Sequence, residues 1–240
     1  MEETVEHIAG HILGLYWSPR RESPEDCALR LQAFLGAIQG LGGPFSRWGE
    51  TGWSLAEALQ KGFDPDDLST LVRIVEDGTL RNDVDHAPIE GLGFTFGLWN
   101  MEDGEQALGL TVHCGMSKAV PGLMGNVVTL GFPDDLISSL GVDLLVEVLA
   151  AGARAWRPRW GGVFSFDALL EQRHDLDTPL VEWLLYLDGD FASVGDLQPP
   201  SRVVPVDGIG TIVVVQDTPP GAGRDASREA IAAVEGSLRL

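Results

Sequence analysis

The chain has 240 residues, 44% of them hydrophobic, enough for a substantial core and too many for wholesale disorder. Sixteen Lys and Arg stand against 36 Asp and Glu, a formal net charge of −20. That balance argues against direct binding to nucleic acid or to an anionic membrane, both of which need a basic surface. It serves solubility, and it suits a basic protein partner, whose approach such a field accelerates.

In chain order, residues 8–17 read as a strand that ends in the aromatic pair Tyr16 and Trp17. A polar turn leads to a helix over residues 24–41. Its start is marked by Ser23 as N-cap, Pro24 at the first helical position, and Glu25 and Asp26 at the positive end. Ser23 and Asp26 also have capping-box spacing. Cys27, Leu31, Phe34, Leu35, Ile38 and Leu41 recur on one face, and Gly42 and Gly43 stop the helix. The pattern is a strand delivering a helix onto a sheet. Phe45, Trp48 and Trp53 then punctuate a loop, with a short helix at residues 55–59. A second helix has Asp64 as its cap, Pro65 as its first residue and Asp66 and Asp67 in its first turn. Leu68, Leu71, Val72 and Val75 line its face, and Gly78 ends it.

Residues 81–90 are polar and turn-rich. Alternation over residues 94–99 and 108–113, with Glu102, Asp103 and Gly104 between, predicts a hairpin, and residues 127–130 add a third strand. Asp134 and Asp135, after Pro133, read as helix-start residues. Residues 140–156 form a helix with Arg154 and Arg157 near its negative end and Pro158 as its stop. A short strand at residues 161–166, a helical turn at 167–171 and a strand at 181–187 follow. Residues 202–205 and 209–215 flank Asp207 and Gly208, a strong hairpin signal, and Pro205 marks the first arm as an edge. A glycine-rich linker, residues 218–223, leads to a last helix over residues 225–238. Strands cluster instead of alternating with helices. The expected fold is therefore α+β, one domain over residues 1–240, with a twisted, largely antiparallel sheet and helices packed mainly on one face.

Residues 1–7 are acidic, with no positively charged segment leading into an apolar stretch, and no apolar run reaches membrane-spanning length, so the expected compartment is the cytoplasm. Cys27 and Cys114 are read as two buried thiols or as a disulfide.

Catalytic patterns are weak. His7 and His11 have a helical metal-ligand spacing, but they lie in a strand around Gly10 without a completing carboxylate. Asp83, Asp85 and His86 form a polar loop cluster that lacks the length and order of a calcium loop. Asp188 and Asp190 flank Gly189 as turn residues. His113 and Cys114 are strand neighbours and so face opposite ways. His174 has Asp175 and Asp177 nearby and no nucleophile at a telling spacing. No cofactor is expected, since neither a phosphate-binding glycine loop nor zinc-ligand spacing is present. Of the seven tryptophans, Trp17, Trp48, Trp53, Trp99, Trp156, Trp160 and Trp183, most belong to core and rim packing, and one or two stand as anchors in a protein interface.

Tyr16 to Arg20, Glu22 and Ser23, the helix start at Cys27 to Leu31, and Phe45 with Trp48 form an ordered set of features. Leu92 to Phe94, Leu98 to Asn100, His113 to Gly115, Asn126 to Val128 and the Trp156–Trp160 segment extend it. This order resembles the Immunity protein 52 family over most of the chain. The resemblance implies a cytoplasmic guard encoded beside a secreted antibacterial toxin, one with a restriction-endonuclease-like nuclease domain and in some cases delivered by a type VI secretion apparatus. It implies stoichiometric inhibition and carries no catalytic residues. Under that reading the acidic loops contribute the interface, with Asp83, Asp85, Glu102, Asp103 and Glu105 as candidates for meeting a basic toxin. Two other readings are an enzyme that gathers Asp83, Asp85, His86 or His174 in a cleft, and an adaptor that escorts an effector to a secretion system.

Overall fold

In the computed structural model, which describes residues 10–120, 125–171, 178–220 and 224–239, the first strand is the middle of the sheet and not its edge. The chain runs through β1 (His11–Trp17), α1 (Pro24–Gln39), β2 (Trp48–Glu50), α2 (Leu55–Ala58), β3 (Gly62–Phe63) and α3 (Leu68–Asp77). It continues through β4 (Phe94–Trp99), β5 (Gly109–Cys114), β6 (Asn126–Phe132), α4 (Asp134–Leu140), α5 (Val142–Trp156), β7 (Trp160–Ser165) and α6 (Phe166–Glu171). It finishes through β8 (Leu184–Asp188), β9 (Ser193–Val194), β10 (Arg202–Val206), β11 (Gly210–Val214), α7 (Arg224–Ser237) and β12 (Leu238–Arg239). Ten strands form one open sheet in the order β10-β11-β8-β7-β1-β6-β5-β4-β2-β3, every neighbouring pair antiparallel, while β9 and β12 pair separately. The expected α+β class and antiparallel sheet are what the chain forms.

Helices α1, α3 and α5 pack over one face of the sheet. Side chains alternate along β1, so Leu13, Leu15 and Trp17 enter this core with Phe34 and Ile38 of α1 and Leu145, Leu149 and Trp156 of α5. Each such burial contributes roughly 1.5–3 kcal/mol. Helix α5 presses closely on β1, because Gly152 has no Cβ; one placed there would lie 2.6 Å from Leu15 Cδ1. On the opposite face Tyr16 stacks on Trp160, with Leu185, Leu187, Val213 and Val215 beneath Ala230 and Val234 of α7. That second cover ends near β6. Beyond it Thr95, Gly97, Trp99, Thr111, His113 and Thr129 remain partly or wholly exposed.

The capping box is present as expected. Ser23 Oγ accepts the Asp26 N–H at 3.1 Å, and Asp26 Oδ2 accepts the Ser23 N–H at 3.0 Å. The hairpin across Asp207 and Gly208 is present, with Pro205 on the edge strand β10, where its missing N–H costs no ladder bond.

Other boundaries differ. Asp64 closes a turn by accepting the Asp66 N–H, and Asp67 is the true cap of α3, accepting from the backbones of Ser69 and Thr70. A carboxylate that meets two backbone donors and two hydroxyls outcompetes one that meets a single donor. The loop after α1 contains the short strands β2, which pairs with β4, and β3, which pairs with β2 at the edge of the sheet. The helix expected from residue 140 begins at Val142. Gly141, at φ 75, breaks it from α4, and the two helices meet at 97°. Among the described residues no single helix is long and apolar enough to cross a membrane.

Candidate partner-binding surface

Two buried asparagines shape the two ends of the sheet. Asn100, 1% exposed, donates to the carbonyls of Pro44 and Gln106 and accepts from the N–H groups of Glu102 and Leu108. It thereby fixes the loop between β4 and β5. Asn126, fully buried, donates to the Ser18 and Met116 carbonyls and accepts the Met116 N–H, which binds the loops after β1 and β5 to one another. A buried amide with all its bonds made favours one loop geometry over its alternatives.

The same end of β1 holds a buried charge cluster. The Glu22 side chain, 4% exposed, receives Arg20 and Arg30. Arg20 donates onward to the Trp156 carbonyl at 3.0 Å and Arg30 to the Ala155 carbonyl at 2.9 Å. Both cations therefore satisfy carbonyls at the negative end of α5. Beside them the Cys114 thiol is pushed well up by its hydrogen bond with Cys27, by burial and by the nearby Glu22 charge. Both cysteines are free and buried.

The five candidate acidic residues fall into two groups. Asp83 and Asp85 sit on an exposed loop before Phe94, and Glu102, Asp103 and Glu105 lie on the loop after Trp99. The groups lie in loops at opposite ends of β4, whose six residues span roughly 17 Å at about 3.3 Å per residue. Both loops are ordered locally. Asn82 Oδ1 accepts from Val84 and Asp85, and the Asp85 carboxylate accepts the Ala87 N–H, which lowers its pKa. Glu102 pairs with Arg47 at 2.8 Å across exposed surface.

The groups considered for catalysis do not converge. Asp83, Asp85 and His86 are all exposed, while His7 and His174 lie outside the described residues. His11 Nδ1 meets Asp134 Oδ1 at 2.9 Å, which ties β1 to the first turn of α4. Asp190 N–H donates to Asp188 Oδ1, as a turn requires. His113 stands on the open face with Thr95 Oγ1 2.9 Å from its Nδ1, and burial lowers its pKa. Among the described residues no three His, Cys, Asp or Glu side chains are placed to hold a metal ion. An open depression of about 430 Å³ near β3, bordered by Gln39, Arg47, Trp48, Phe63 and Met101, contains no histidine or cysteine.

The sequence pattern did not single out Trp53. It is 100% exposed, whereas Trp17, Trp48, Trp156, Trp160 and Trp183 are buried. The one signal it carried was its place in a loop with Ser54 and Glu57 at capping-box spacing.

An open antiparallel sheet with helices packed mainly over one face defines the class: an α+β protein. "Pseudomonas aeruginosa T6SS protein PA0821" shares this fold at a TM-score of 0.50 and 13% identity, covering 94% of this chain and 73% of that one. The model of the family Immunity protein 52 matches residues 10–219, and the chain belongs to that family. Membership assigns an immunity role and implies a cognate toxin as partner. No curated protein matches the chain.

Proposed function

We propose that this protein binds a cognate antibacterial nuclease toxin in the cytoplasm of the producing cell and neutralises it by stoichiometric occlusion. The observation that carries the reading is the net charge of −20 on a member of an immunity family. A nuclease must attract phosphate, so its working surface is basic, and an acidic protein is suited to that same surface. The structural neighbour is a T6SS protein, in keeping with delivery of the toxin by a type VI apparatus.

The test is to titrate the purified product of the adjoining toxin gene with this protein. Nuclease activity is expected to fall to background at a fixed molar ratio, with a stable complex on gel filtration. Persistent cleavage at excess protein, with no complex, would reject the reading. Loss of toxin export on deletion, without self-killing, would instead identify an escort.

A further inference from the structure

Trp53 sits between β2 and β3 at one end of the sheet, wholly exposed, with Leu55 and Leu59 about half exposed beside it. Leu55 and Leu59 are four residues apart and share a side of the short helix. This segment is not loose. Ser54 Oγ accepts the Glu57 N–H at 3.2 Å as the N-cap, and Glu57 Oε2 accepts the Trp53 N–H at 3.0 Å, so the Trp53 backbone is tied to the first turn of the helix. Glu57 is held in turn by Lys61 at 2.6 Å, and the Glu50 N–H donates to the Lys61 carbonyl. Ala58 is buried, and Gly52 passes so close to it that a Cβ there would lie 2.9 Å from the Ala58 nitrogen. A rigid support that keeps the largest apolar side chain in water serves no purpose within the monomer, and preorganised aromatic anchors are what tight interfaces use.

The surroundings specify the occupant. Residues 47–77 carry three cations against seven carboxylates. All three cations are already paired: Arg47 with Glu102, Lys61 with Glu57, and Arg73 with Glu50 and Asp77. The charge left over is negative. An indole face in such a field attracts a guanidinium or ammonium group by its quadrupole. The segment also adjoins the half-face of the sheet that no helix among the described residues covers, since Thr51 lies 3.7 Å from where a Gly97 Cβ would stand. Three strands about 4.8 Å apart and six residues long offer roughly 300 Å². A stable complex needs about 800 Å² from each partner, so the sheet alone is too small and the Trp53 segment with the acidic loops must extend it.

We infer that Trp53, with Leu55 and Leu59, is the anchor on which a basic protein surface docks, an arginine or lysine of the partner lying over the indole. The inference rests on the toxin-binding reading and names where that partner is held.

Wild type, Trp53→Ala, Trp53→Phe and the control Val203→Ala, which alters an exposed apolar residue on the far edge strand, are measured against the purified product of the adjoining toxin gene. Trp53→Ala is expected to weaken binding at least about 30-fold, mostly through faster dissociation, with an unchanged melting temperature. Trp53→Phe is expected to fall between, and Val203→Ala to match wild type. If wild type binds and Trp53→Ala binds within about twofold of it, the anchor is wrong while neutralisation stands. If wild type does not bind at all, the neutralising reading fails and the inference falls with it. If the protein alone forms a dimer that Trp53→Ala dissolves, the occupant is a second copy and not a toxin.

Discussion

Trp17 and Trp156 lie stacked, ring centroids 5.5 Å apart and planes 28° from parallel, joining the end of β1 to the last turn of α5. The Arg20 guanidinium also lies over the Trp17 ring, 5.5 Å from its centroid. Trp156 is fully buried, so Trp156→Ala removes both its burial and the stack. A loss of about 3–5 kcal/mol is expected in urea unfolding, against less than half of that for Trp156→Phe. Equal losses would mean that the cavity closes by relaxation.

Glu22 is the carboxylate shared by Arg20 and Arg30, and both arginines also serve α5. Glu22→Gln keeps the shape and removes the charge. It is expected to cost about 2 kcal/mol, below the 3–5 typical of a fully buried pair, because the two arginines are near 30% exposed and water reaches them. Equilibrium denaturation measures it. No change would show that the arginines are held by the helix carbonyls alone.

The two cysteines share one buried environment, and Cys114 is held protonated. Only a thiolate reacts quickly with alkylating reagents. At about pH 8, neither thiol is expected to be labelled in the native chain over minutes, and both in denaturant. Mass spectrometry of the intact protein counts the labels.

Burial lowers the His113 pKa below its ordinary 6.5. As pH falls through 6.5 the unfolded chain takes up the proton first, so stability is full above that point and declines toward the depressed folded value. His113→Gln removes this component. The drop in melting temperature between about pH 7.5 and pH 5.5 is expected to be smaller in the variant than in wild type. Identical slopes would assign the pH response to the carboxylates.

Asp67 has its pKa lowered below 3.8, first by the Ser69 and Thr70 hydroxyls and then by the Thr70 N–H. Its stabilisation is present above 3.8 and is lost as pH falls through the lowered folded value. Asp67→Ala is expected to lower the neutral-pH melting temperature by a few degrees and Asp64→Ala by less, as the position of the cap requires. Thermal melts of the two variants decide between the capping positions.

What could be read directly was local. Ser23 and Asp26 are three residues apart, and their box depends on nothing distant. Asp207 with Gly208 encodes its own turn, and Pro205 names the edge. What could not be read depends on partners remote in the chain. Strands β2 and β3 exist because Gly49 meets Trp99 and Trp48 meets Phe63, pairings that no short window displays. The α3 cap was misplaced because three aspartates, Asp64, Asp66 and Asp67, each carry the right chemistry and only geometry chooses. Charge selected the two acidic loops, and the alternation over residues 94–99 already placed a strand between them. The family resemblance named Asn100 and Asn126 without revealing that both are buried staples, and no neighbour in sequence distinguishes the wholly exposed Trp53 from the five buried tryptophans.

Strands β4, β5 and β6 send Phe96, Val112 and Val128 into the sealed core and Thr95, Thr111 and Thr129 to the bare side. Adjacent positions thus answer to different constraints. A mutation at one of the threonines redraws the outward surface and leaves the jigsaw beneath it undisturbed. Substitutions on that side can therefore accumulate one at a time, and no ancestor along the way has to survive unfolded.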